Sequence, residues 1–219
     1  MKSVFTVVLI VVLGIWATFV QTDGLTVLTT EAARRASIVR QPVEIPTADV
    51  QMATGQTADL RAALAADQRV TIVNFMYTRC ISICVAMGSE FQQLQSEIKS
   101  RGLGDRVRLV SISFDPNDTP KWLARYRDRM DADPEIWQVI SVADDIERQA
   151  LLDTFGIVVV PAPLGQYEHN TAYHVVTPDG QLARIVDINR ATSALHYALE
   201  QTKTSKPAFA VALTSGPQP

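Results

Sequence analysis

The distribution of apolar residues divides the chain into an N-terminal apolar segment and a longer region of alternating patterns. The segment from Val4 to Val20 contains no charged residue and follows Lys2. Its length falls slightly short of the roughly 20 residues that cross a bilayer and exceeds the roughly 7 to 15 of a cleavable signal core. We therefore predict a single N-terminal transmembrane helix within residues 1–22. It would hold the remainder of the chain at the inner membrane, on the periplasmic or an equivalent side.

A second pattern, of strands alternating with helices, extends over residues 65–202. The run "RVTIVNFMYT" is rich in β-branched and aromatic residues, as is typical of a buried strand. The next stretch places Met87, Phe91, Leu94 and Ile98 on one stripe of a helix. Further strands are predicted at "VRLVSISFD" and "WQVISV", and further helices at "TPKWLARYRDRM" and "DIERQALLDTFG". A hairpin at "AYHVVTPDGQLARIVD" precedes a closing helix at "ATSALHYALEQ".

This order predicts an α/β domain with a mixed sheet. Strand–helix–strand repeats require parallel crossovers, whereas the late hairpin adds antiparallel strands. Helices should cover both faces of the sheet, which is the thioredoxin-like arrangement. Outside this domain, residues 23–64 are expected to form a tether and an irregular lead-in, and residues 203–219 a disordered tail.

The overall composition excludes one class of partner. The formal net charge is -3, and the 20 Lys and Arg residues are scattered singly along the chain. We therefore expect no nucleic-acid partner. Apolar residues make up 47% of the chain, which is enough for a core without disulfide support.

The two cysteines, Cys80 and Cys84, follow the first regular strand with three residues between them. If Cys84 lies in the first helical turn, both sulfur atoms come to the same side of the strand–helix junction. A helix N-terminus stabilises a thiolate, and a thiolate serves both thiol exchange and binding of a soft metal. The spacing alone leaves open a redox couple, a pair of metal ligands and two buried thiols.

Three histidines are candidates for a third metal ligand. His169 lies in a loop at the end of the sheet where the cysteines are expected, although many loop histidines are simply solvated. His174 falls within a strand and His196 on the closing helix, where packing or surface roles are the ordinary ones. Two thiolates can hold Cu(I), and an added imidazole makes a site acceptable to Cu(II).

Three segments together resemble the SCO/SenC family of copper proteins that mature cytochrome c oxidase. They are "VNFMYTRCISIC", "VSISFDPNDTPKWLARY" and "EHNTAYHVVTPDG", in the order and spacing of the family. The resemblance implies that Cys80, Cys84 and His169 bind copper as Cu(I) or Cu(II). It also implies a membrane-anchored metallochaperone, rather than an enzyme, that delivers copper to the Cu(A) site of an apo cytochrome c oxidase subunit. A periplasmic thioredoxin-like reductant or a copper donor would be a further partner.

The chain departs from the family pattern close to the cysteines. Ile81 and Val85 stand where the family usually carries prolines, which removes a restraint on the backbone. The D-P turn is also one residue shorter. Two acidic residues of this turn, Asp115 and Asp118, either support the site from behind or form the turn and cap the next helix.

The alternative function is that of a thiol–disulfide oxidoreductase that reduces the cysteines of client proteins. In that case Cys80 attacks a disulfide and Cys84 resolves the mixed disulfide. Against a general thioredoxin role, no proline directly precedes "AYHVV", where that fold normally carries its substrate-binding proline. Two other soft side chains, Met76 and Met87, are expected in the core rather than on a metal.

Overall fold

The structure is a computed structural model that describes residues 2–21, 29–80 and 83–204. The chain divides into two compact units, residues 1–42 and 43–219.

The first unit contains two helices, α1 (Lys2–Gln21) and α2 (Thr30–Arg40). Thr29 caps α2, because its hydroxyl oxygen accepts a hydrogen bond from the amide of Ala32 at 3.0 Å. Among the residues that the structure describes, no helix has both the length and the apolar character that crossing a membrane requires. The transmembrane helix therefore stays a prediction.

The second unit contains the remaining helices and all strands of the described residues. Along the chain they are β1 (Val43–Glu44), β2 (Asp49–Met52), β3 (Thr57–Asp59), α3 (Leu60–Asp67), β4 (Val70–Met76), α4 (Ile83–Ser100), β5 (Val107–Ser113), α5 (Pro120–Arg129), β6 (Trp137–Val142), α6 (Asp145–Phe155), β7 (Val159–Ala162), β8 (Gln166–His169), β9 (Ala172–Val176), β10 (Gln181–Asp187) and α7 (Ala191–Thr204). Short 3-10 turns lie at Pro163–Gly165 and Ile188–Arg190.

Eight strands form one mixed sheet, in the order β1-β10-β9-β4-β5-β6-β2-β3. The strands β4, β5 and β6 are parallel, and β9 pairs antiparallel with both β4 and β10. Every residue of β4 and β5 is buried, which explains why both read as nearly continuous apolar runs in the sequence. The order β10-β9-β4-β5, with its crossover helices, confirms the predicted thioredoxin-like fold.

Helices cover both faces of the sheet, as predicted. Adjacent residues of a strand point to opposite faces, and two residues of β9 show which helix covers each. The ring of Tyr173 stacks on Phe91 of α4 with centroids 5.6 Å apart. The ring of His174 meets Phe155 of α6 edge-on at 5.1 Å. The helices α4 and α6 therefore pack on opposite faces.

The segment before β4 differs from the irregular lead-in that the sequence predicted for residues 23–64. Strand β1 pairs with β10 at one edge of the sheet, and β2 pairs with β6 at the other. The helix α3 begins after Asp59, whose carboxylate accepts a hydrogen bond from the amide of Ala62 at 2.7 Å. These strands are only two to four residues long, too short for an alternating pattern to be visible.

Local signals at the helix ends and turns agree with the sequence. The helix α5 begins with Pro120 directly after Thr119. Helix α6 ends at Gly156, whose φ is 69°, and the turn between β9 and β10 contains Gly180 with φ 76°. The predicted tail, residues 203–219, lies outside the described residues except for the last two positions of α7.

Candidate metal centre

Cys80 closes a short turn at the carboxyl end of β4. The strand ends at Met76, and the amide of Cys80 donates a hydrogen bond to the carbonyl of Tyr77 at 3.2 Å. Cys80 itself is 3% exposed. The parallel strand β5 ends beside it, because the amide of Phe114 donates to the carbonyl of Met76 at 3.0 Å. The cysteine turn therefore rests against the loop that follows β5.

Asp118 of that loop fixes the cysteine turn. Its carboxylate accepts hydrogen bonds from the amide and the hydroxyl group of Thr78, at 2.7 and 2.5 Å, and from the hydroxyl group of Ser113 at 2.6 Å. The residue is 4% exposed, and hydrogen bonds to a buried carboxylate are among the strong ones. The sequence left two roles open for Asp118, support of the site and capping of the next helix. The structure favours support of the site, because the carboxylate of Asp118 binds Thr78 of the cysteine turn.

Asp115 holds the turn from a second side. Its carboxylate accepts a hydrogen bond from the guanidinium of Arg79 at 2.7 Å and another from the amide of Asn117 at 2.9 Å. Burial alone would raise the pKa of Asp115. The hydrogen bonds from Arg79 and Asn117, with the positive charge of Arg79, nevertheless hold this pKa below its ordinary value. Asp115 is therefore ionised near neutral pH and anchors Arg79, the neighbour of Cys80.

The small hairpin of β7 and β8 brings His169 to the same end of the sheet. In its register Val159 lies opposite His169 and Pro161 opposite Tyr167. The hydroxyl group of Tyr77 donates to the side-chain oxygen of Gln166 at 2.9 Å and accepts from the amide of Tyr167 at 3.4 Å. The hairpin is therefore tied directly to the residue where the cysteine turn begins.

Aromatic rings surround His169. Its ring lies 4.8 Å from that of Phe114 and 6.3 Å from that of Tyr77, and Tyr167 contacts both of these rings at 5.6 and 5.2 Å. These four residues, Tyr77, Phe114, Tyr167 and His169, form what we call the aromatic cluster. The three neighbours of His169 were not predicted as site residues. The sequence could have pointed to them only by position, because Tyr77 and Phe114 lie at the ends of predicted strands and Tyr167 lies two residues before His169.

The environment of His169 favours a neutral ring with a defined tautomer. Its Nδ1 lies 3.0 Å from the carbonyl oxygen of Asn170, which can only accept, so Nδ1 carries the proton and Nε2 the lone pair. Burial lowers the pKa of His169 below its ordinary value, against the hydrogen bond to Asn170 and the charge of Cys80, which raise it. His169 and Cys80 are linked through Tyr77, whose ring lies 6.3 Å from that of His169 and whose carbonyl accepts from the amide of Cys80.

The structure thus brings together two of the three predicted ligands, Cys80 and His169. The third, Cys84, belongs to the first turn of α4, but the side chains of residues 81–86 lie outside the described residues. Within the described part of the chain, no group of three His, Cys, Asp or Glu side chains is placed to hold a metal.

The other candidate side chains lie elsewhere, as predicted. His174 is 1% exposed and packs between Phe75 and Phe155 on one face of the sheet. His196 is an exposed residue of α7, with Nδ1 3.6 Å from a carboxylate oxygen of Glu200. Met76 and Met87 are fully buried.

The donors that the structure describes fit copper. A sulfur ligand suits the softer Cu(I), and a neutral imidazole nitrogen suits both oxidation states. Metal-bound histidines usually donate the other ring N–H to a carbonyl or carboxylate, as Nδ1 of His169 does to Asn170. The cysteine turn before α4, with Cys84 in the first turn of that helix, and the histidine at the same end of the sheet define the class of the domain as thioredoxin-like.

Comparisons with known proteins identify the family. A sequence profile of the SCO1/SenC family matches residues 50–204, and the chain belongs to this family. The SCO1 protein homolog of Bacillus subtilis is 30% identical over 118 residues, which cover 52% of this chain and 60% of that protein. The chain thus spans less than two thirds of this curated relative.

Solved structures of family members share the fold. The SCO1/SenC family lipoprotein from Bacillus anthracis str. Ames superposes with a TM-score of 0.64 at 21% identity, covering 77% of this chain and 99% of that one. The crystal structure of yeast Sco1 with copper bound gives a TM-score of 0.61 at 18% identity, covering 76% and 92% of the two chains.

Proposed function

We propose that this protein is a membrane-anchored metallochaperone that binds copper and delivers it to cytochrome c oxidase. Copper is the cargo, held by Cys80, Cys84 and His169. The observation that carries the proposal is the position of His169. Its ring packs against Phe114 and Tyr77 at the end of the sheet where the cysteine turn follows β4, and its Nδ1 donates to the backbone carbonyl of Asn170. Copper bound to yeast Sco1 supports the same cargo for this chain.

Delivery would proceed by ligand exchange. Copper binding requires thiolates and a neutral imidazole, so loading releases the thiol protons. During transfer each bond from copper to Cys80, Cys84 or His169 is replaced by a bond to a ligand of the acceptor, without net oxidation or reduction. The proposed acceptor is the Cu(A) site of an apo oxidase subunit, and the protein would act without turning over a substrate chemically. A periplasmic reductant or copper donor would restore the loaded state.

The ligand assignment is tested by titrating the reduced full-length protein with Cu(II) and recording thiolate-to-Cu(II) charge-transfer absorbance. His169→Ala should lose this absorbance and retain the reactivity of its thiols, because only the imidazole is removed. His196→Ala is the matched control, since His196 is exposed on α7, and it should bind copper as the unaltered protein does. An unchanged copper stoichiometry in His169→Ala would contradict the proposal.

Membrane attachment is part of the proposal and rests on the N-terminal pattern. The large side chains of α1 whose exposure the structure describes are exposed, from 47% at Leu9 to 66% at Ile15. An apolar helix of this kind favours a lipid surrounding, and the Bacillus anthracis relative is a lipoprotein. We expect the full chain in the membrane fraction and a chain lacking residues 2–21 in the soluble fraction of the cell. Recovery of both in the soluble fraction would exclude an N-terminal anchor.

The second candidate function, thiol–disulfide oxidoreductase, is favoured by Cys84 in the first turn of α4, because a helix N-terminus stabilises a thiolate. The low exposure of Cys80, 3%, counts against direct attack on a protein disulfide. Reduction of a protein disulfide by the metal-free protein, with turnover, would support this function. If no such reduction is measured, the oxidoreductase function is excluded.

A further inference from the structure

The exposed face of α5 next to the cysteine turn carries a concentration of positive charge. Lys121, Arg125 and Arg129 follow one another at intervals of four residues, which places them on one face of the helix. All three are exposed. The guanidinium of Arg125 lies over the ring of Trp122, itself 38% exposed, at 4.8 Å from the ring centroid. We call Lys121, Trp122, Arg125 and Arg129 the α5 stripe.

The α5 stripe is connected to the proposed ligand turn. The guanidinium of Arg129 donates a hydrogen bond to the carbonyl of Thr78 at 2.9 Å, two residues before Cys80. Arg79, on the turn itself, is paired with Asp115 and adds no unbalanced charge to this surface. Anything that contacts the α5 stripe at Arg129 therefore lies beside the cysteine turn.

The charge of the stripe is not balanced by neighbouring carboxylates. Many cations elsewhere form ion pairs, such as Arg61 with Glu44, Lys99 with Asp133 and Arg101 with Glu97. In contrast, no ion pair of Lys121 or Arg125 is found within the described residues. The exposed acid of this helix, Asp128, is engaged by Arg127 at 2.8 Å. The stripe is thus a positive surface on a chain whose formal net charge is -3.

We propose that the α5 stripe docks an acidic surface of the protein that exchanges copper with this chain, an inference that rests on the proposed function. Ligand exchange requires the partner's own ligands to reach the copper held by Cys80, Cys84 and His169, so the partner must cover the surface around these residues. A lipid surface on this face would block that access. Complementary charge speeds the encounter and orients the two proteins, and Trp and Arg are the side chains most often enriched at the energetic centre of protein interfaces.

The test measures association of the copper-free, reduced full-length protein in detergent with the purified apo Cu(A) domain of cytochrome c oxidase. The variant Lys121→Gln/Arg125→Gln removes two cations from the stripe. The control Lys99→Gln/Arg101→Gln removes two cations from the end of α4, at the opposite end of the sheet from the cysteine turn. We expect the association rate at low salt to fall about tenfold in the stripe variant and less than about twofold in the control. Added salt should remove most of this difference, because screening acts on exposed charges.

If the association rate fell equally in the two variants, the inference would be overturned, because the loss would then depend on net charge alone. It would also be overturned if vesicles of phosphatidylglycerol and phosphatidylcholine bound the protein through Lys121 and Arg125 while association with the Cu(A) domain did not change. Copper binding is measured separately in each variant and should be unchanged, because neither pair contacts the proposed ligands. A protein that docks but binds no copper would refute the proposed function and leave the docking surface in place.

Discussion

The two sides of the candidate site are held by different kinds of interaction. On the cysteine side, the turn from Thr78 to Cys80 is fixed by two buried carboxylates, Asp118 and Asp115, through hydrogen bonds of 2.5 to 2.7 Å. On the histidine side, ring packing and the hydroxyl group of Tyr77 hold the β7–β8 hairpin, with uncharged hydrogen bonds of Asn170 at its base and one long hydrogen bond, 3.5 Å, from Tyr167 to Asp115. Charged hydrogen bonds are short and directional, whereas ring contacts tolerate displacement. The comparison indicates a rigid thiol side and a more adaptable imidazole side.

The largest expected effect comes from removing the carboxylate that fixes the rigid side. Asp118→Ala leaves the amide and hydroxyl group of Thr78 and the hydroxyl group of Ser113 buried without their acceptor. We expect the free energy of unfolding to fall by about 3 kcal/mol, with a loss of copper affinity. Urea unfolding measures the first effect and copper titration the second. The control Asp128→Ala, at an exposed residue of α5, should change the free energy of unfolding by less than about 0.5 kcal/mol. Equal losses of stability in the two variants would show that Asp118 does not fix the cysteine turn.

The rigid side should also show a specific dependence on acid. The folded-state pKa of Asp115 lies below its ordinary value, so its contribution to stability is complete above about pH 4 and is lost as the pH falls through the lowered pKa. Asp115→Asn removes the titrating group, and the slope of stability against pH below about pH 4 should become shallower. Urea unfolding at several pH values measures this slope. The exposed Asp179, in the turn between β9 and β10, provides the control Asp179→Asn. An unchanged slope in Asp115→Asn would contradict the prediction.

A smaller effect is expected on the adaptable side from Tyr77→Phe. This change keeps the ring and removes the hydroxyl group that bonds Gln166 and the amide of Tyr167. The expected cost is about 1 kcal/mol, concentrated in the hairpin. Hydrogen exchange should show faster exchange of the amides of β7 and β8 and little change in β9 and β10. Uniform acceleration across the sheet would mean that the two sides are not held independently.

The smallest expected effect has the opposite sign. Leu164, at the tip of the hairpin, is 97% exposed and has a φ of 62°, a conformation that glycine adopts at lower cost. Leu164→Gly should therefore raise stability by less than about 1 kcal/mol, after the greater entropy of glycine in the unfolded chain is counted. Val160→Gly, in the adjoining strand, should lower stability, because it weakens a strand without relieving strain. Thermal unfolding of both variants checks the opposite signs.

The central sheet could be predicted from the sequence because its strands are buried on both faces. In β4 and β5 most positions are apolar, with Asn74 and Arg108 as buried exceptions, and no proline or glycine interrupts either run. The pattern alone was therefore enough to predict both strands. The hairpin of β7 and β8 was not predicted. It contains Pro161 and Pro163, which indicate a loop, and it pairs only with itself.

The candidate site was predictable only in part. Cys80 and His169 could be placed at one end of the sheet from the order of the elements, and the family resemblance then proposed them as ligands. The role of Asp118 could not be read in the same way. Its partner Thr78 is 40 residues away in the sequence, and a carboxylate before a helix with Pro120 at its start is typical of a turn or cap. Only the fold shows which donor the carboxylate faces.

The short strands that precede β4 have a practical consequence for any shortened version of this protein. Strand β1 covers the free edge of β10, while β2 and β3 cover that of β6. A fragment that started at residue 65, where the regular pattern begins, would leave both margins of the sheet with unsatisfied backbone groups. Such margins recruit strands from other molecules. Oligomers or fibrils formed by that fragment would therefore reflect where the chain was cut, and a fragment that starts before Val43 would avoid them.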